Sequence, residues 1–147
     1  MSPKSKIAIL LLFPAFLILA CQEPAGVAKV IQVIDGDTIA IEGGYHVRYI
    51  GIDAPEKGEF CYLESEQANK ALVEGKRVRL EKDISEKDRY GRLLRYVYVD
   101  DTFVNAQMVR QGYACAKAYP PDVKYQVYLG AVEKEAKQTR RGIWRQK

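Results

Sequence analysis

Between Val27 and Ile50 the chain alternates apolar and polar residues in three short runs, cut twice by turn-forming residues, and few folds accept that pattern. Val27 to Ile34 is rich in β-branched residues, which suit the half-buried, pleated surface of a strand. Asp35-Gly36-Asp37 reads as a turn by composition, Thr38 to Glu42 puts Ile39 and Ile41 on one face, and Gly43-Gly44 is a two-residue hairpin signal. Tyr45 to Ile50 then returns, with Val47, Tyr49 and Ile50 as inward candidates. Three consecutive antiparallel strands are expected. Pro55 has no N–H to give a neighbouring strand, so Asp53 to Cys61 is expected as a loop at the end of the sheet.

Further along, Leu63 to Val73 carries Ala68, Ala71 and Leu72 at helical spacing and is closed by Gly75. Arg77 to Glu81 alternates strictly, and Leu93 to Val99 is a fifth strand ending at the Asp100-Asp101 turn. A second helix is expected over about Val104 to Gln111, stopping at Gly112. A third, from about Val123 to Gln138, would bury Tyr125, Tyr128, Leu129, Val132 and Ala136. Five short strands, with one helix between the third and fourth and two more after the fifth, predict an α+β domain: a small Greek-key barrel of the OB type with three helices.

The two ends differ from this middle. Lys4 and Lys6 precede an apolar run from Ile7 to Ala20, which reads as an export signal, too short for a membrane span. Ile18-Leu19-Ala20-Cys21 resembles the end of a bacterial lipoprotein signal, in which Cys21 becomes the lipidated first residue. A simple secretory peptide cleaved near Ala25 is the alternative. The expected organisation is therefore a signal over residues 1–21, a linker over 22–26 and one domain over 27–147. The product would be a cell-envelope lipoprotein, or a secreted or periplasmic protein. Lipid on Cys21 leaves Cys61 and Cys115 as an even pair bound for an oxidising compartment, and a disulfide between them is expected, with two buried thiols as the alternative.

Charge alone does not identify a partner. The chain carries 23 Lys and Arg against 19 Asp and Glu, and without Lys4 and Lys6 the balance falls to near +2. The basic residues are concentrated between Lys76 and Arg95 and in the tail after Lys134, a distribution that solvation alone explains.

Residue types say more. Asp37 and Asp53 supply carboxylates on separate segments, Glu56 follows a proline that fixes its backbone, and Arg48 and Arg92 supply guanidinium forks that match phosphate oxygens. Oxygen ligands without a His or Cys cluster favour a hard cation over zinc, and His46, the sole histidine, reads as solvated. Arg48 lies between Val47 and Tyr49, so its side chain is expected on the face opposite theirs.

Taken in order, Val33-Ile34-Asp35-Gly36-Asp37-Thr38, Arg48, Asp53-Ala54-Pro55-Glu56, Asp88-Arg89-Tyr90-Gly91-Arg92, Val109-Arg110-Gln111-Gly112 and Gly142-Ile143-Trp144 resemble the staphylococcal nuclease (thermonuclease) family, from about Val30 to Trp144. The resemblance implies a calcium-dependent endonuclease that cleaves phosphodiesters in DNA, with RNA as a second candidate, with little sequence specificity and with 3′-phosphate products. It assigns Asp37, Asp53 and the backbone carbonyl of Ala54 to Ca²⁺, where the best-known member has threonine in place of Ala54. Glu56 becomes the general base, Arg48 and Arg92 the clamp on the scissile phosphate, and Arg89 and Tyr90 the contacts to a neighbouring phosphate. The family's base-stacking tyrosines fall around Ala118 to Pro121, where this chain offers Tyr119. A monomer is expected. The alternative function is a non-catalytic OB-fold nucleic-acid-binding domain anchored at the cell envelope.

Overall fold

A computed structural model describes residues 26–146. The expected signal segment and Cys21 lie outside the described residues, and within them no helix is long and apolar enough to cross a membrane. The elements are β1 (Gly26–Val33), β2 (Thr38–Ile41), β3 (Tyr45–Tyr49), β4 (Ile52–Asp53), α1 (Tyr62–Val73), β5 (Arg77–Glu81), β6 (Leu93–Val99), β7 (Thr102–Phe103), α2 (Val104–Arg110), β8 (Cys115–Ala116) and α3 (Gln126–Gln138). A 3₁₀ turn over Gly142–Gln146 follows.

The strand order β3-β2-β1-β5-β6 closes on itself, because β3 also pairs with β6, and β7 extends the far edge. The expected hairpin is present, with Thr38 opposite Arg48 and Ile41 opposite Tyr45. The closing pair is parallel and sets Val47 against Leu93 and Tyr49 against Arg95. β1 serves two neighbours: Gly26–Lys29 pairs with β5, and Val30–Val33 pairs with β2 across an irregularity between Val30 and Gln32. That irregularity lets one strand bend from one side of the barrel to the other.

Alternation fills the interior. Ala28, Val30, Ile39, Ile41, Val47, Tyr49, Val78, Leu93 and Val97 all point inward and are essentially buried. Each of the larger ones contributes roughly 1.5–3 kcal/mol relative to an exposed position. Asn105 of α2 straddles the parallel seam: its Nδ2 donates to the Ile50 carbonyl at 2.8 Å, and its Oδ1 accepts the Val97 N–H at 2.9 Å. This one amide ties α2 to both closing strands.

Three sequence expectations need correction. Asp53 does not begin a loop, because Ile52 and Asp53 form β4 and pair with Ala116 and Cys115 of β8. The fully buried face of α1 is Ser65, Asn69 and Val73; Ala68 and Leu72 pack against the core while partly buried, and Ala71 is exposed. An apolar stripe was only part of the signal, since this helix also packs polar groups onto backbone. Finally, Cys61 and Cys115 are thiols and not a disulfide. Cys61 sits ahead of α1 and its Sγ accepts from Arg145 Nη2 at 3.3 Å, while Cys115 stands on β8 opposite Asp53, so an even count of cysteines did not bring them together. A smaller shift concerns α3, which begins at Gln126, with Leu129, Val132 and Ala136 buried, Tyr125 partly buried and Tyr128 half exposed.

Candidate active site

The acidic turn is fixed first. The Asp37 N–H donates to Asp35 Oδ1 at 2.9 Å, the side-chain turn that Asp beside Gly favours. Gly36 between them is obligatory for packing, because a Cβ there would lie 1.9 Å from Ser65 Oγ and 2.7 Å from the Ala54 methyl. The turn delivers Asp37 almost completely buried. Its Oδ1 accepts from the Thr38 hydroxyl at 3.1 Å, and its Oδ2 accepts the Ala54 N–H at 2.7 Å. Burial pushes the Asp37 carboxyl up to about 7; the neighbouring Arg48 opposes this and Asp35 adds to it.

Arg48 projects from β3 away from the inward Val47 and Tyr49, as alternation requires. Its Nη1 donates to the carbonyls of Tyr49 (2.6 Å) and Ile52 (2.8 Å). Its Nη2 lies 3.1 Å from Asp37 Oδ2 and 3.0 Å from Asp53 Oδ1. A single nitrogen therefore joins both acids. Asp53 is held in place by the β4–β8 pairing, and its second oxygen accepts from Lys117 Nζ at 2.8 Å. Glu56 lies on the exposed turn that follows, where its N–H donates to Glu59 Oε2 at 2.7 Å and its carbonyl accepts from the Glu59 N–H at 2.9 Å.

The opposite wall comes from the loop that leads into β6. Asp88 organises it: Oδ1 accepts the N–H groups of Tyr90 (2.9 Å) and Arg92 (3.0 Å), and Oδ2 accepts from Arg92 Nε at 2.7 Å. Burial works against the Asp88 anion, but Arg92 and the two backbone donors outweigh it and hold the carboxyl below the usual range. Since Nε makes that tie, the terminal nitrogens of Arg92 remain for an oxygen-bearing ligand. Arg89 Nη2 donates to the Tyr90 hydroxyl at 2.7 Å, and its guanidinium stands 4.8 Å from the centre of that ring.

These pieces converge. One cavity of about 650 Å³ is lined by Asp37, Arg48, Asp53, Glu56 and Arg92, together with Arg89, Tyr90 and Tyr119. Ala54 stands at its inner edge through its N–H bond to Asp37. His46 is exposed on the hairpin and is not among the lining residues. Three neighbours of the site escaped the sequence reading. Lys117 reaches Asp53 and stands 5.3 Å from the Tyr119 ring centre, with its ammonium pKa raised chiefly by the Asp53 bond. Asp122 lines the cavity and accepts the N–H groups of Ile84 and Ser85 at 3.0 and 2.7 Å, joining the two loops that flank it. Asn69 supports the acidic turn from α1. Only Asn69 had a signal in the sequence, the i, i+4, i+8 spacing of Ser65, Asn69 and Val73.

The donors suit a hard divalent cation. Asp37 and Asp53 already converge on one positively charged nitrogen, and a carboxylate as buried as Asp37 ionises only with a cation to compensate it. Among the described residues no three His, Cys, Asp or Glu side chains cluster, so two carboxylates and the Ala54 carbonyl would be the protein's share of a shell of about six to eight oxygens, completed by water or phosphate.

The sequence pattern of the family described as Staphylococcal nuclease homologue matches residues 46–146, a span that includes Arg48, Asp53, Glu56 and Arg92. This chain belongs to the staphylococcal nuclease homologue family. Relatives within it include a thermonuclease of Staphylococcus hyicus, 38% identical over 79% of this chain and 74% of that protein. A thermonuclease of Staphylococcus intermedius is 39% identical over 77% and 73%, and an uncharacterized endonuclease of Haemophilus influenzae is 36% identical over 95% and 78%. The closed five-strand barrel with three helices is the OB-type fold expected of a staphylococcal nuclease relative.

Proposed function

We propose that this nuclease is a calcium-dependent endonuclease that hydrolyses DNA, with RNA as a second substrate, and leaves 3′-phosphate ends. The observation that carries the reading is the convergence of two acids, a third carboxylate and two arginines from four separate segments on one cavity. Asp37, Asp53 and the Ala54 carbonyl would hold Ca²⁺, which when bound neutralises and polarises a phosphate oxygen. Buried Asp37 and partly exposed Asp53 are both fixed from the barrel side, so the pair offers oxygens in one orientation without reorganising.

Glu56, on the exposed rim, accepts a proton from the attacking water, a role a carboxylate fills at neutral pH. The water oxygen bonds to phosphorus as the bond to the 5′ oxygen breaks, and that oxygen leaves as a hydroxyl by taking a proton from solvent. Arg48 and Arg92 approach from opposite walls and donate to the oxygens on which negative charge builds. Arg89 and Tyr90 bind a neighbouring phosphate, and Tyr119 offers a ring face to a base. These contacts go to phosphate, metal and π-faces, which report little of base identity, so cleavage is largely sequence-independent. One chain carries the whole set and acts as a monomer.

The domain spanning 27–147 is exported and tethered to a membrane by lipid on Cys21. Incorporation of labelled fatty acid into the full chain but not into Cys21→Ser supports the tether. For the activity, a gel containing DNA is developed with calcium and with a calcium chelator, beside a gel-shift assay. Cleavage that disappears with the chelator supports the enzyme. Binding without cleavage in excess calcium would overturn it in favour of a non-catalytic binding domain.

A further inference from the structure

The polar face of α1 is built against the acidic turn. Asn69 is fully buried on that face; its Nδ2 donates to the Asp35 carbonyl at 2.8 Å, and its Oδ1 accepts from the Tyr49 hydroxyl at 2.9 Å. The Tyr49 N–H in turn donates to the Asp37 carbonyl at 2.9 Å. Helix, strand and turn are thus linked in one ring of hydrogen bonds around Asp35 and Asp37. One helical turn earlier, Ser65 Oγ donates to the Tyr113 carbonyl at 2.8 Å and stops any side chain at position 36. An asparagine in a helix interior gives up helix propensity and apolar burial, and an aliphatic residue would seal this position at lower cost. It would also leave the Asp35 carbonyl and the Tyr49 hydroxyl buried without partners.

We propose that Asn69 is a positioning residue for the acid pair: its amide, completed by the Tyr49 hydroxyl, fixes the Asp35–Asp37 turn so that the Asp37 carboxylate faces Asp53. This rests on the reading above that the pair holds a cation. The experiment therefore includes a measurement made without calcium.

Amide exchange is followed by NMR in the calcium-free protein for Asp37, Tyr49 and Ala54, whose N–H groups bond to the turn, and for Val97, which bonds to Asn105 and not to the turn. Asn69→Ala is expected to speed exchange at the first three about tenfold relative to Val97, the factor that loss of roughly one buried hydrogen bond gives. Its calcium dissociation constant, from calorimetric titration, should rise by about the same factor. Val73→Ala, a cavity on the same helix face, should lower stability while leaving the exchange ratios and calcium affinity unchanged. Tyr49→Phe keeps the ring and removes only the hydroxyl, and gives the Asn69→Ala pattern at smaller amplitude; it serves alone if Asn69→Ala does not fold. Uniform acceleration across all four amides would overturn the proposal. If the wild-type protein binds no calcium, the cation reading falls, and the exchange ratios alone decide the role of Asn69.

Discussion

Arg48 is gripped on the barrel wall by two backbone carbonyls and two carboxylates, whereas Arg92 is tied through Nε alone to Asp88, on a loop whose Tyr90 is 68% exposed. The same residue type thus serves in two settings. On the barrel side nearly every polar atom has a fixed partner, and the strands set its position to the register of the sheet. On the loop side a single aspartate organises three donors, and the aromatic and basic groups stand open to an incoming chain. Chemistry that needs pre-oriented charge sits on the rigid wall, and contacts that must accept a long, variable polymer sit on the open one.

The sharpest way to break this division is Arg48→Lys. A point charge cannot keep four oxygens at once, so turnover on DNA should fall about a thousandfold and thermal stability with it. Arg92→Lys should cost about a hundredfold in kcat with the melting temperature nearly unchanged, because its single tie lies outside the barrel. Equal loss of stability in both variants would erase the distinction.

The next effect is one of pH. Asp37 keeps its proton in the native state up to about 7, against 3.8 ordinarily, so between these values the native state binds more protons than the unfolded chain. Without calcium, stability should therefore fall as pH rises from about 4 to about 7, and Asp37→Asn should flatten that slope in urea titrations at the two ends of the range. Calcium affinity runs the other way, since the ion displaces the proton: it should weaken about tenfold per pH unit below 7.

Smaller effects come from the rim. Lys117 competes with any cation for Asp53, but the pair is half exposed, so Lys117→Met should tighten calcium by only about threefold in a calorimetric titration. Tyr90→Phe, which removes the hydroxyl that Arg89 holds, should raise KM for DNA about twofold and leave kcat unchanged.

Local pattern in the sequence predicted the local parts of this molecule. Alternation placed Ile39, Ile41, Val47 and Tyr49 inward and sent Arg48 outward, because strand periodicity is a property of the backbone itself. Pairings between distant segments left no such trace. Nothing in Ile52-Asp53 or Cys115-Ala116 announces that they will meet, so the strand that steadies Asp53 read as loop and Lys117 carried no signal. The α1 face was only half legible for a different reason: hydrophobic periodicity finds the apolar side chains a helix buries, and this one also buries hydroxyl and amide groups against backbone. The disulfide expectation failed because parity counts sulfurs without measuring the space between them. The five principal site residues were legible as a set of chemical types in order, and their meeting in one cavity came from barrel closure.

That closure also governs when a working enzyme can exist. The parallel seam sets Val47 opposite Leu93 and Tyr49 opposite Arg95, so Arg48 and Arg92 are brought to a common cavity by the same pairing that completes the barrel. A polypeptide still emerging from the ribosome, or one cut before residue 93, has the acids and the first arginine but no seam to set them against the second. Competence to cut nucleic acid is thus withheld until the sixth strand has been made and has found the third.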